Sequence, residues 1–330
     1  MISRLLMVIL VPLAGGCDSI AYYRQAIGGH FEIMGAARPV EAWLADPATP
    51  AALRERLETA RRIRLFASRG LGLPDNRSYT SYAELGRPFV VWNVFAAPEF
   101  SVEPSKECFP VAGCVSYRGF FSEEDARRYA ERLRAEGHDV HVGGVPAYST
   151  LGWFDDPLLS TFIRYPDAQL ARLVFHELAH QLAYARDDTT FNESFAVVVE
   201  EEGVRRWLEA EGRAAELEAF RASQARRQQF AQKVKEARTR LALVYKEKHA
   251  SREALLNRKR EEFDRLRAQY PANVPAQPNN AFLASIALYS ELVPEFQQLL
   301  RESGGLDAFY EKVKEMAKSG KRLKPPGPAS

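Results

Sequence analysis

Residues 175–181 read Phe-His-Glu-Leu-Ala-His-Gln and sit inside a segment whose apolar residues have helical spacing. Pro166 stands in the predicted first turn, where the missing N–H of proline has no helical partner to lose. The apolar positions recur every three or four residues, which indicates one buried helix face: Leu170, Leu173, Val174, Leu178 and Leu182. We therefore predict a helix over 166–186. A polar connection and a second helix at about 192–207 follow, a spacing that favours an antiparallel pair.

Two histidines of this stretch, His176 and His180, stand four residues apart, so a helix places them one turn apart on the same face. Imidazoles in this arrangement can bind one zinc ion at the required ~2.0–2.1 Å. Glu177 follows the first histidine, and its carboxylate can lie beside the metal and accept a proton from a water that the metal activates. The pattern predicts a zinc hydrolase. The alternative is a helix whose histidines are satisfied by hydrogen bonds alone.

A catalytic zinc ion takes three protein ligands and keeps one open position, so a third ligand is needed. Glu193 is the candidate, because it begins the second predicted helix and that helix can fold back onto the histidines. Other acids stay open as ligands or as partners that orient an imidazole: Asp187, Asp188, Glu200 and Glu201. The remaining histidines lack a helical pairing with the motif and are not expected to bind the metal: His30, His138, His141 and His249.

Amide hydrolysis also needs a hydrogen-bond donor for the oxyanion of the tetrahedral state. Three tyrosines are candidates, and the sequence does not choose between them: Tyr148, Tyr184 and Tyr289. Residues 143–147, Gly-Gly-Val-Pro-Ala, are predicted to form an edge strand that can pair with the backbone of a peptide.

The first 16 residues are predicted to be a signal peptide. Arg4 supplies a positive charge, and residues 5–11 are apolar but far shorter than the ~20 residues of a membrane span. Small residues then lead to Cys17, an order typical of bacterial lipoproteins, with a plain secretory signal as the alternative. We expect lipidation of Cys17 and a body that faces the periplasm, held at the membrane by a lipid anchor.

The other two cysteines, Cys108 and Cys114, bracket the five-residue loop Phe-Pro-Val-Ala-Gly. In an oxidising compartment a pair like this is usually bridged. We expect a disulfide, and two buried thiols are the alternative. Neither cysteine is expected to bind metal, because no histidine or further cysteine lies close in sequence.

The formal charge of +2 excludes a strong overall field toward polyanions, so nucleic acid is not an expected partner. Basic residues concentrate between 221 and 267, inside a stretch of helix formers. Residues 209–270 predict a charged helical hairpin, or one very long helix, with Ala250-Ser251 as the favoured turn. Its charged faces are predicted to be solvated, and contact with anionic lipid headgroups is the alternative.

Three segments rich in β-branched and aromatic residues predict short strands: 88–95, 115–121 and 140–145. Ser122 with Asp125 predicts the start of a helix that ends at Gly137. Strands and helices mix without regular βαβ alternation. The predicted fold class is therefore α+β, mainly helical, with a small antiparallel sheet, an active-site helix pair and the long charged hairpin.

The prediction divides the chain into consecutive parts. An N-terminal α+β part at 17–160 follows the signal peptide, and the helix pair occupies 161–208. The hairpin ends at 270, and C-terminal helices fill 271–320, one from Asn279-Asn280 through Leu300 and a short one at about 306–316. Residues 321–330 are predicted to be a disordered tail.

Several stretches make the chain similar to a known family. His-Glu-Leu-Ala-His-Gln at 176–181 with Asn-Glu-Ser-Phe-Ala at 192–196 resembles the gluzincin metallopeptidases, in which a following helix carries a glutamate ligand. The wider chain resembles the Putative aminopeptidase lipoproteins of proteobacteria at Cys17 and at residues 22–26, 117–121, 147–154, 191–196 and 279–281. One departure is Val197, because gluzincins often have an acid one turn after the glutamate ligand.

The resemblance implies one zinc ion (Zn2+) on His176, His180 and Glu193, with Glu177 as the general base. It also implies a zincin-like helix pair and a peptide substrate. We therefore expect a zinc-dependent peptide hydrolase, an aminopeptidase by this resemblance. One alternative is an envelope lipoprotein that serves as a scaffold or binding module with little or no turnover. A zinc hydrolase acting on peptidoglycan peptides is the other.

Overall fold

The computed structural model describes residues 17–109 and 113–320, and side chains from residue 22 onward. The predicted signal peptide and C-terminal tail lie outside the described residues. The described chain is mainly helical with small sheets, as expected for the α+β class. The helices are α1 Cys17–Ala36, α2 Val40–Ala45, α3 Ala51–Leu71, α4 Glu123–Ala135, α5 Asp167–Leu182, α6 Thr189–Ala210, α7 Ala214–Val244, α8 Arg252–Gln269, α9 Asn280–Leu288, α10 Val293–Ser303 and α11 Leu306–Ser319. Within the described ranges, no helix combines the length and apolar character needed to cross a membrane.

The strands are short and form three separate sheets: β1 Arg38–Pro39, β2 Ser81–Ala83, β3 Val91–Pro98, β4 Glu107–Phe109, β5 Gly113–Val115, β6 Arg118–Phe120, β7 His138–Val145 and β8 Leu158–Leu159. The central sheet has the order β6-β3-β7 and is antiparallel, as predicted. Two further small sheets accompany this predicted one, and in one of them β2 pairs with β8 in parallel. A parallel pair needs a long crossover connection, and the central sheet with α4 fills it.

Several helix starts that the sequence predicted are capped as expected. The Ser122 side chain accepts a hydrogen bond from the Asp125 N–H at the start of α4. Ser251 does the same for the Ala254 N–H in α8, so the hairpin turns just before it. Asn279 accepts from the Phe282 N–H and begins α9. Each cap satisfies an N–H that has no partner inside its own helix.

The expected single helix over 280–300 is wrong, because the structure breaks it between α9 and α10. Pro294 stands in the first turn of α10, where it cannot supply the N–H that a continuous helix would require. The N–H of Leu292 instead donates to Oγ of Ser194 on α6 at 3.2 Å. This break ends α9 just before Tyr289 and ties it to α6.

The largest core surrounds α5 and α6 and joins them to α1, α3, α10 and α11. Trp207, Phe175 and Phe195 are fully buried within it. Gly203 lets the helices approach closely, because a Cβ there would lie 2.7 Å from a ring carbon of Phe175 and 2.8 Å from Leu71. A side chain at this position would push α6 away from α5 and α3.

The charged hairpin has its own apolar seam, which also packs against α9. It is fixed to the central sheet by Lys259, whose ammonium group is buried between Asp139, at 2.7 Å, and the carbonyl of Glu99, at 2.8 Å. A buried cation is tolerated when a carboxylate and a carbonyl replace its water. The hairpin therefore forms one wall of the molecule.

The connection between α5 and α6 is closed by one buried amide. Asn192 accepts a hydrogen bond from the Ala185 N–H at 2.7 Å and donates to the Ala185 carbonyl at 2.9 Å. The side chain is 2% exposed, so water cannot replace it. Both hydrogen bonds fix how α5 turns into α6.

We predict that Asn192→Ala lowers the free energy of unfolding by about 2 kcal/mol, because two buried backbone groups of Ala185 lose their partner. Urea unfolding measures the change. The matched control is Asn257→Ala at an exposed position of α8, expected to change stability by less than about 0.5 kcal/mol. Equal losses in the two variants would contradict a special role for the Asn192 amide.

Candidate metal centre

Three side chains that the sequence singled out meet where α5 faces α6. The Nε2 atoms of His176 and His180 are 3.2 Å apart. Oε2 of Glu193 lies 3.2 Å from the first and 3.6 Å from the second. Among the described residues, this is the one group of histidine, cysteine and acidic side chains close enough to hold a metal ion, with ligand atoms within 4.8 Å of one another.

The position of Glu193 follows from the way α6 begins. The Asp188 side chain accepts a hydrogen bond from the Phe191 N–H at 2.9 Å and caps the helix. Asn192, the next residue along, is locked to the connection by its two hydrogen bonds. Glu193 therefore starts from a fixed backbone, and its carboxylate is almost fully buried.

Behind the histidine pair stands Glu200, which the sequence left open as a ligand or an orienting partner. Its Oε2 lies 2.9 Å from Nδ1 of His176, and its Oε1 accepts from Arg172 at 3.0 Å. The carboxylate thus fixes the ring so that Nε2 faces Glu193. Nδ1 of His180 is buried and has no hydrogen-bond partner among the described residues.

The other acids that the sequence left open are placed elsewhere. Oδ1 of Asp187 accepts from the Cys114 N–H at 2.6 Å, and Asp188 caps α6. Glu201 accepts from the amide of Gln297 at 3.1 Å and belongs to the wall of a cavity. Within the described residues, Glu193 is the acid that joins the two histidines.

The electrostatics of the cluster favour a positive charge. Burial lowers the pKa of His176, but its hydrogen bonds to Glu193 and Glu200 raise it by more, so the net shift is upward. Burial raises the pKa of Glu193, but the charge of His180 and the hydrogen bonds from both histidines lower it overall. Burial also raises the pKa of Glu177, and the histidines offset only part of that. A divalent cation would supply the positive charge that these carboxylates favour.

A cavity of about 1100 Å³ opens beside the centre. His176 and Glu177 line it from α5, and residues 145–147 line it from the end of β7. β7 is an edge strand of its sheet and ends at Val145, so the edge strand predicted over 143–147 is confirmed for residues 143–145. The remaining wall comes from α6, α7 and the α9–α10 break. This volume is large enough for several residues of a peptide.

Of the tyrosines proposed as oxyanion donors, Tyr289 is the best placed. It lines the cavity, and its ring centroid lies 6.3 Å from that of His176. The Tyr148 hydroxyl is instead 2.6 Å from Nδ1 of His30. Burial raises the pKa of Tyr184, and the charge of Glu193 adds to the shift.

Tyr117 is a residue that the chemical reasoning missed. Burial raises its pKa, and the charges of Glu193 and Glu177 add to the rise. It sits between β5 and β6 and packs on Phe95, with ring centroids 5.4 Å apart. Residues 117–121 carry part of the family resemblance, but the sequence separation between Tyr117 and α5 gives no sign that they lie close together.

The two cysteines expected to pair, Cys108 and Cys114, are joined by a disulfide that links β4 to β5. This small hairpin rests on the α5–α6 connection through the Asp187 hydrogen bond. Gly113 has a φ of +76°, and a Cβ there would lie 2.3 Å from Oδ1 of Asp187. The bridged hairpin therefore stabilises the turn that leads into α6.

Comparison with known proteins gives one family. The family described as "Putative aminopeptidase" matches residues 21–324, nearly the whole described chain. Searches of curated proteins and of solved structures find no match. Because the family match covers far more than half of the sequence and includes every residue of the centre, the chain belongs to the Putative aminopeptidase family.

Proposed function

We propose that this protein is a zinc-dependent aminopeptidase of the gluzincin type, with His176, His180 and Glu193 as the metal ligands and Glu177 as the general base. The observation that carries the proposal is the triangle of three ligand atoms beside a carboxylate that faces a large cavity. Family membership supports the peptidase class and its preference for the amino end of a peptide.

Zinc suits this donor set. Ligand atoms bound at 2.0–2.1 Å around a tetrahedral ion are separated by about 3.3 Å. The observed separations of 3.2, 3.2 and 3.6 Å match that spacing. Two imidazoles and one carboxylate form the ligand set of catalytic zinc, which leaves one position for chemistry.

The chain's own groups provide the remaining parts of a hydrolytic site. A bound zinc ion supplies the positive charge that acidifies a water molecule and polarises a peptide carbonyl. Glu177 accepts the proton that the water loses and delivers it to the leaving amine. It can do so because its carboxylate faces the cavity and is not one of the clustered ligands.

Two hydroxyl groups are suited to stabilise the oxyanion. Tyr289 faces the cavity beside His176, and the charges of Glu193 and Glu177 raise the pKa of Tyr117. We assign the main role to Tyr289, because it lines the cavity.

The substrate is proposed to be a peptide that pairs with the free side of β7. β7 ends at Val145, and residues 145–147 line the cavity together with Glu177. An extended peptide added there would gain backbone hydrogen bonds that do not depend on its sequence.

The proposed location is the periplasmic side of a bacterial membrane, with the protein held by a lipid on Cys17. The support is the order of residues 1–17 together with the Cys108–Cys114 disulfide, which is typical of an oxidising compartment. The mature chain would then begin with α1.

We predict that Glu177→Gln lowers kcat/KM by roughly 10²–10⁴-fold, because proton transfer to and from the substrate is lost. Zinc content stays unchanged, since the three ligands remain. Hydrolysis of a free-amine peptide panel and of the N-acetylated peptides, with metal analysis, measures both. Glu201→Gln, on the same cavity, is the control that keeps its activity. A Glu177→Gln protein that cleaves like the wild type would contradict the role of Glu177 as the base. A variant without cleavage that keeps its cellular role would favour the scaffold alternative.

Zinc affinity is expected to depend on the carboxylate behind His176. Glu200→Gln should weaken binding by roughly 10–100-fold, because the charged partner that orients the imidazole is replaced by a neutral one. Competition with a fluorescent chelator reports the affinity, and Glu201→Gln again serves as the control. Unchanged affinity in Glu200→Gln would mean that His176 is held without help from this residue.

For Tyr289→Phe we expect kcat to fall by roughly 10²-fold with little change in KM, because its hydroxyl acts on the oxyanion rather than on bound substrate. Steady-state kinetics on one free-amine peptide separates the two parameters. Tyr148→Phe is the matched control, because its hydroxyl is bonded to His30. If Tyr117→Phe alone lowers kcat, the role belongs to Tyr117.

A further inference from the structure

Exposed apolar side chains gather on one part of the surface. Eight large hydrophobic residues of the described chain are exposed, and five of them lie on α1 or in the segment after β7. We call these five the apolar face: Tyr23, Ile27, Phe31, Trp153 and Phe154. Trp153 is 74% exposed and Phe31 is 64% exposed, values unusual for such large side chains.

The two segments form one continuous surface. Tyr23, Ile27 and Phe31 are spaced by four residues, so they line one side of α1. His30 joins them to the second segment, because its ring lies 4.4 Å from Phe154 and 5.7 Å from Phe31, measured between centroids. A contiguous apolar surface of this kind marks an interaction site.

Trp153 and Phe154 are held outward by a firmly built turn. Leu151 has a φ of +56°, a backbone conformation that is costly for a side chain of its kind. Asp156, which is 1% exposed, accepts hydrogen bonds from the N–H and the hydroxyl of Thr150 at 3.0 and 2.8 Å. The turn therefore keeps the rings of Trp153 and Phe154 exposed, although the backbone conformation of Leu151 is unfavourable.

We propose that the apolar face lies on the surface of a lipid bilayer, with its aromatic rings among the headgroups. Helix α1 begins at Cys17, the proposed site of the lipid anchor. At 1.5 Å per residue, Tyr23 is about 9 Å and Phe31 about 21 Å from that start. An anchor on Cys17 would thus keep the whole face within reach of the membrane.

The chemistry of both segments fits this surface. Tryptophan, tyrosine and phenylalanine favour the boundary between water and hydrocarbon. Residues 22–31 and 145–154 contain no acidic residue, so anionic lipids would not repel them. Two acids directly follow these stretches, and each is paired with an arginine: Glu32 with Arg87 at 3.7 Å and Asp155 with Arg77 at 3.3 Å.

The face is also close to the proposed active site, although the inference does not depend on catalysis. Residues 145–147 line the cavity, and the same stretch continues directly to Trp153. A Cβ on Gly152 would lie 3.5 Å from the Gln181 side chain, the residue after His180. Binding at the membrane would therefore place the substrate cavity near the bilayer surface.

Trp153 provides a direct test. The protein has four tryptophans, and the other three are buried or partly buried: Trp43, Trp92 and Trp207. The processed full-length protein is mixed with vesicles of phosphatidylethanolamine and phosphatidylglycerol, with or without brominated acyl chains. We expect bromine to quench part of the tryptophan emission, and Trp153→Phe to abolish that quenching.

Matched double variants separate the face from general surface hydrophobicity. Ile27→Ser with Phe31→Ser should weaken insertion of Trp153 by roughly tenfold or more. Leu65→Ser with Leu243→Ser removes two exposed leucines outside the face and should leave quenching unchanged. Because quenching is read without substrate or metal, its loss would not bear on the peptidase proposal.

Three results would overturn the inference. The first is an unquenched Trp153 on a protein that sediments with the vesicles. The second is equal loss of quenching in both double variants. The third is a dimer in vesicle-free solution that Trp153→Ser dissociates, together with unquenched emission on vesicles, which would assign the face to a second copy of the chain.

Discussion

The structure depends on the convergence of three side-chain atoms from two helices within a few tenths of an ångström. His176 and His180 meet this demand through helix periodicity alone, since residues four apart share a face. Glu193 meets it only if α6 returns along α5 at one distance and one rotation. The close approach at Gly203 sets the distance, and the Asn192 amide sets the start of α6. The core around α5 and α6 therefore acts as a frame for one small polar cluster.

Burying the carboxylates of this cluster lowers the stability of the fold unless other side chains compensate their charge. Glu193 and Glu200 are both nearly inaccessible, and an unpaired buried carboxylate is strongly destabilising. Arg172 neutralises Glu200, which then holds His176. Glu193 has the two imidazoles as its partners, and their interaction lowers the pKa of its carboxyl. A buried cluster of this composition costs stability, and its two imidazoles and one carboxylate could hold a metal ion.

The sequence predicted best what short-range periodicity controls. The spacing of His176, Glu177 and His180 and the caps at Ser122 and Asn279 depend on neighbours within one helical turn. The position of Glu193 beside the two histidines also followed, because the connection between the two helices is short. The parallel β2–β8 pair, the α9–α10 break and the placement of Tyr117 did not. Each depends on contacts between distant segments, such as Ser194 with Leu292, that no local pattern encodes.

The segment that links β7 to the apolar face joins two features that could have been separate. After the end of β7, residues 145–147 line the cavity. The Tyr148 hydroxyl is hydrogen-bonded to His30 of α1, and Trp153 follows on the surface. A shift of α1 would therefore act on this segment through His30, and the segment touches α5 beside His180. Because close-packed interiors transmit strain, contact of α1 with a surface can shift the residues of the cavity wall without a hinge motion. The N-terminal helix is thus part of the scaffold of the centre, and an anchor placed at its start would fix the cavity relative to whatever surface holds it.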